Sequence, residues 1–235
     1  MGPRERSAAF VLLALTLAAH PRVVSAQAKV ADPGPGTLGV AAACDLTGYT
    51  THAETPSPAV AIPDFSPAGV LFGPLVTSAD GTIFKDVALD LTLSHTWIGD
   101  LVVTLSYDSN CDGQPEDSTR VLCRPGRADC WIGSGFGSSK DFNCTETLTF
   151  SDSAAADIGG GTSPIPTGCY LPTGTGAGPL SVFLGWASGG CWWMNVSDQS
   201  DQDVGSVCAW AIHTRDDIGV PVARRSWGML KSAYR

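Results

Sequence analysis

The sequence lacks most of what would mark a membrane protein, a nucleic-acid binder or a metalloenzyme. Its one continuous apolar run, Ala8–Ala19, is too short to cross a bilayer, and no later stretch is long or apolar enough. Basic residues are scarce: between Gln27 and His213 stand 6 basic and 20 acidic side chains, a balance of −14. Such a surface repels nucleic acid and anionic lipid and favours divalent cations or basic partners. There is no Cys-x-x-Cys pair and the four histidines are scattered, which argues against a zinc or redox centre. A Gly-x-Ser-x-Gly elbow is also missing, and the Gly161-Thr162-Ser163 run meets Pro164, so Ser163 reads as a loop serine rather than a nucleophile. Long stretches of helical periodicity are absent too.

What the chain has instead is alternation. From Ile83 to Trp97 the residues Ile83, Val87, Leu89, Leu91, Leu93, His95 and Trp97 share one parity, with Lys85 as the polar exception. Asp86, Asp90, Thr92, Ser94 and Thr96 hold the other, so one face of a long strand is dry. Ile98-Gly99-Asp100 breaks the run, and Leu101, Val103, Leu105 and Tyr107 resume it. Two antiparallel strands around a short corner, apolar on one side, require a second sheet to cover them. With abundant Gly and Pro between short alternating runs, the expected class is all-β, a jelly-roll-like sandwich.

The N-terminus carries Arg4 and Arg6, the apolar run, and Val24-Ser25-Ala26 as a small-residue cleavage site, so residues 1–26 read as an export signal. Beyond it lie all eight cysteines: Cys44, Cys111, Cys123, Cys130, Cys144, Cys169, Cys191 and Cys208. An even number in a secreted, extracellular chain implies a disulfide framework whose pairing the spacing leaves open. Residues 27–58 read as a linker or arm tied down through Cys44, residues 59–213 as the sandwich, and residues 214–235 as a basic tail.

The sharpest local chemistry is Asp108-x-Asn110-x-Asp112-Gly113-Gln114-x-Glu116. Oxygen-bearing side chains at alternate positions before a glycine resemble the opening of a calcium loop, with the Gln114 carbonyl as a further ligand. Position twelve is Thr119 rather than Glu, and no helix flanks the loop, so a solvated acidic hairpin tip is the competing reading. His95, on the dry parity, is expected to be a core histidine bonded to a neighbouring strand or to Asp100. Trp192 and Trp210 read as core, and Trp193 as facing outward. Asn143-Cys144-Thr145 and Asn195-Val196-Ser197 have the form of glycosylation sequons.

Taken in order, Ile62-Pro63-Asp64, His95-Thr96-Trp97, Gly99-Asp100-Leu101 and Thr149-Phe150-Ser151-Asp152 form the first half of a recognisable series. Gly168-x-Tyr170-x-Pro172, Leu180-Ser181-x-Phe183-x-Gly185, Gly190-x-Trp192-x-Met194-x-Val196-x-Asp198 and Asp203-x-Gly205-x-Val207-x-x-Trp210-x-Ile212 complete it. The series resembles the P domain (P/Homo B domain) that follows the catalytic domain of kexin- and furin-type convertases and of many bacterial subtilisin-like proteases. The resemblance implies a jelly-roll-like sandwich, association with serine-type endopeptidase function, and structural roles for His95, Trp97, Gly99, Asp100, Asp152, Gly190, Trp192, Asp198, Gly205 and Trp210. Where the family usually carries Arg before Gly-Asp, this chain has Ile98. No subtilisin-type His box is present, and the chain is too short for a catalytic domain beside the sandwich. The expectation is therefore a non-catalytic accessory module with a protein partner, for instance a protease in trans. The alternative is a carbohydrate or cell-surface binding module, by analogy between sandwiches.

Overall fold

The computed structural model describes residues 41–78, 82–130, 136–158 and 162–217. The expected export signal, residues 27–40 of the arm and residues 218–235 of the tail lie outside them. The described residues form ten strands: β1 Thr50–Glu54, β2 Val60–Ile62, β3 Val70–Thr77, β4 Ile83–His95, β5 Leu101–Asp108, β6 Asp117–Cys123, β7 Leu148–Phe150, β8 Gly168–Tyr170, β9 Gly190–Asp198 and β10 Gly205–Asp217. Sheet order is β1-β10-β4-β7-β8, with β2 also on β10, facing β3-β9-β5-β6. All pairings are antiparallel except β7 with β8. The two sheets pack as an all-β sandwich, and no helix among the described residues is long and apolar enough to cross a membrane.

The dry parity of β4 behaves as the alternation predicts. Val87, Leu89, Leu91, Leu93 and His95 are buried and meet Val103, Leu105, Tyr107, Trp192, Met194 and Val196 from the opposite sheet. Lys85 has a specific cause for being the exception. Asp86 pairs with Arg215 but Phe84 pairs with the adjacent Asp216, so Lys85 is an extra, bulged residue. A bulge reverses the facing of what precedes it, which turns Phe84 into the core and Lys85 out to Asp217. Phe84 then joins Tyr107, Trp192 and Phe183 in an aromatic cluster with centroids 4.7–5.3 Å apart. Trp97 departs from the parity. β4 ends at His95, Ile98 takes the core position, and Trp97 lies half-buried beyond the strand, its indole N–H donating to the Phe136 carbonyl.

Two further differences concern boundaries. Thr50–Glu54, within the expected arm, is a strand on the edge of β10; with no apolar alternation of its own, its pairing alone makes it visible. The last strand continues through Asp217, so Thr214 to Asp217 belong to the sandwich rather than to the tail.

All eight cysteines pair: Cys44–Cys169, Cys111–Cys191, Cys123–Cys130 and Cys144–Cys208. Cys208 is itself a bulged residue, lying between Val207 paired with Leu93 and Ala209 paired with Thr92. The bulge takes its side chain out of the strand alternation and lets it reach Cys144. Removing the largest side chain of the aromatic cluster, Trp192→Ala, should destabilise the fold by about 3–5 kcal/mol. Trp97→Ala, at a half-buried site, should lose about 1–2 kcal/mol. Urea melts of the two variants should keep that order.

Candidate functional site

Loops from both sheets meet where β4 ends and β10 begins, and there Ile62, His95, Asp100, Asp198 and Gly205 converge. His95 and Asp198 are shut off from solvent, with His95 Nε2 3.2 Å from Asp198 Oδ2. On the other side of the ring, Nδ1 lies 3.1 Å from the Trp97 amide nitrogen and 3.0 Å from the Trp97 carbonyl oxygen, so both ring nitrogens are engaged. Asp198 Oδ1 accepts the Ser200 amide at 3.0 Å, turning the chain out of β9. Gly205 sits opposite both Ile62 and His95 in register, and a Cβ there would stand 2.0 Å from the Ser94 carbonyl oxygen. Only glycine lets three strand ends close this tightly.

Asp100 does not bond His95. It lies beside Arg124, whose Nη2 is 3.4 Å from Asp100 Oδ1 and whose Nε donates to the Gly99 carbonyl at 2.9 Å. Arg124 is fully buried, and burial followed by the charge of Arg127 holds its guanidinium below its ordinary pKa. Arg124, just past the end of β6, thus brings a cation to the Gly99-Asp100 corner. A single Arg ahead of a Pro-Gly turn gives no sequence signal of that role. The Asp100 carbonyl, in turn, accepts the Gln199 amide at 2.8 Å, linking the corner to the loop after β9.

The other quoted residues serve elsewhere. Asp152 caps the 3-10 turn Leu180–Phe183, accepting the Leu180 and Ser181 amides at 2.9 and 2.8 Å. Gly190 packs under the Tyr107 hydroxyl, and Trp210, in the core, donates to Glu54 at 2.8 Å. Trp193 faces outward in register with Ser106, half-buried. Ser163 bonds Asp141 through both its hydroxyl and the Asp141 amide, and neither His95 nor His213 is among its partners. A row that sequence reading missed crosses the outer face of the larger sheet. Thr51 Oγ1 lies 2.8 Å from His213 Nδ1, His213 Nε2 is 2.9 Å from Asp90 off the hydrogen-bond line, and Thr149 donates to Asp90 at 2.6 Å. It ties four strands together.

In the acidic hairpin the expected calcium ligands are turned inward on their own loop. Asp108, fully buried, accepts the Asn110, Asp112 and Gly113 amides. Asn110 accepts the Asp112 amide, Asp112 that of Gln114, and Glu116 both the amide and the hydroxyl of Ser109. Cys111–Cys191 fastens the tip to β9. Among the described residues no group of three or more acidic, His or Cys side chains is positioned to hold a metal. As it stands, the donor set is a self-capped turn, and a bound cation would have to share oxygens already committed to amides.

Fold and site together define a disulfide-bonded β-sandwich with a buried polar network under one set of loops. No family model and no curated protein matches the chain. Among solved structures, the serine protease of Aeromonas sobria matches alone and in complex with its chaperone, at 14% identity and TM-scores of 0.33 and 0.35. Each match covers 71% of this chain but only 26% of the protease chain, so this chain spans about a quarter of that protein. Likeness at that level bears on neither chemistry nor partner.

Asp100→Ala strands a buried guanidinium and should cost about 3–5 kcal/mol, whereas the double variant Asp100→Ala/Arg124→Met should recover much of the loss. Chemical denaturation of both variants reads the difference; equal losses would place Arg124 in water. Asp108→Ala should lower the melting temperature by removing the buried carboxylate that holds the Asn110, Asp112 and Gly113 amides. The same melts in millimolar calcium and in chelator separate the two roles of the hairpin, because only an ion shared among its oxygens makes the loss calcium-dependent.

Proposed function

We propose that the chain is a secreted, non-catalytic interaction module of the P/Homo B type that acts beside a serine-type endopeptidase in trans. The observation that supports this most is convergence. Five of the eight separated fragments supply Ile62, His95, Asp100, Asp198 and Gly205, which serve one another at a single end of the sandwich. Fragments matched by chance would have no reason to be neighbours in space. The four disulfides agree with an oxidising, extracellular setting. Ser163 is exposed, bonds Asp141 and has no histidine among its described partners, which fits a structural serine.

One reagent tests both halves of the reading. Tagged chain purified from the medium of its own host is treated with a fluorescent fluorophosphonate, which labels activated serines. A labelled co-purifying protease with an unlabelled chain is the expected result. Labelling of the chain itself would overturn the non-catalytic part, and the absence of any labelled partner would overturn the protease association.

A further inference from the structure

The end of the sandwich above the His95–Asp198 pair carries two loops that share an unusual property. Phe65, after β2, has φ +46°, and Gln202, between β9 and β10, has φ +86°, a left-handed backbone that side chains other than glycine or Asn seldom adopt. The loops are joined directly, the Gln202 amide donating to Asp64 Oδ1 at 3.0 Å, while Asp203 accepts the Thr96 hydroxyl at 2.7 Å. Each loop holds an apolar side chain out to solvent: Phe65 is 52% exposed and Val204 60%. A strained backbone that presents an aromatic side chain to water is disfavoured twice over, and folding alone gives no reason for it.

The surroundings identify the chemistry of an occupant. Asp64, Asp201 and Asp203 rim the two loops, and the chain has no Lys or Arg between Glu54 and Phe84 or between Asp141 and Thr214. Beside Phe65, β2 pairs with β10 alone among the described strands, so its outer edge carries no strand partner there and suits an extended backbone. A second copy of the chain would bring carboxylates against carboxylates and is disfavoured. We propose that Phe65 and Val204 form the anchor of a docking surface for an extended segment of a partner protein, in which Lys or Arg side chains flank an apolar residue. The apolar residue would pack on Phe65, and the cations would meet Asp64, Asp201 and Asp203. This inference rests on the interaction-module reading only in supposing a protein partner. Its test uses no protease, so the two can fail separately.

The test probes the full mature chain with an arrayed library of random dodecapeptides, followed by anisotropy titrations of the strongest binders. Binders should be enriched in Lys and Arg next to aliphatic or aromatic residues and should weaken as salt rises. Phe65→Asn suits the left-handed backbone, so it should leave the melting temperature unchanged or raised while weakening binding about tenfold or more. Asp201→Asn/Asp203→Asn should weaken it as well. Leu71→Asn, which removes an equally exposed apolar side chain on β3, should have no effect. The proposal is overturned if no peptide binds, if the binders carry no basic residues, or if Phe65→Asn binds as the wild type does.

Discussion

A closed polar network at one end of an apolar sandwich is the constraint on which this structure depends. Two sheets of alternating strands account for the core, but strands must end, and their last amides and carbonyls need partners where water is excluded. Here the ends of β4, β9 and β10 meet over His95 and Asp198, both inaccessible to solvent. The imidazole bridges the end of one sheet to the end of the other, and the carboxylate starts the turn that leaves β9. Beside it Arg124 and Asp100 hold the β4–β5 corner. Groups of this kind contribute little net stability compared with an apolar replacement, but they tolerate only one arrangement of the loops around them. Loop geometry at this end is therefore specified from below.

That specification connects the fold to the functional reading. An exposed aromatic on a left-handed residue is useful only if its position is fixed, and Phe65 is placed by the Asp64–Gln202 bond and by the pairing of Ile62 with Gly205. At the opposite end the acidic hairpin follows the same rule by other means, holding its amides with its own carboxylates and fastening itself to β9 by a disulfide. The disulfides lie where ladder pairing is weakest: at the arm, at the hairpin tip, after β6, and at the bulge of β10.

Much of the sandwich was legible because one parity of β4 and of β5 is apolar, and period-two burial leaves a plain trace. Lys85 hid a bulge, since one polar residue on a dry face has the same appearance as a register change of one residue. β1 was illegible because Thr50 to Glu54 owe their extended form to β10. Within the candidate site, the quoted residues carried the place of His95 but not its partner. Asp198 is 103 positions away, and the nearer Asp100 proved to belong to Arg124. No local pattern marks a polar pair made between elements distant in sequence. Phe65 was in principle detectable, as an aromatic set between Pro63-Asp64 and Ser66-Pro67, where turn chemistry keeps a side chain out of the core.

The most direct measurement of the central claim is amide hydrogen exchange across the loop that leaves β9. If the buried network fixes these loops, the Gln199 and Ser200 amides, bonded to the Asp100 carbonyl and the Asp198 carboxylate, exchange only on global unfolding, as slowly as the paired amides of β4 and β9. Exchange of these two amides orders of magnitude faster than that of the strand amides would mean that the loops open independently of the core, and would contradict the account.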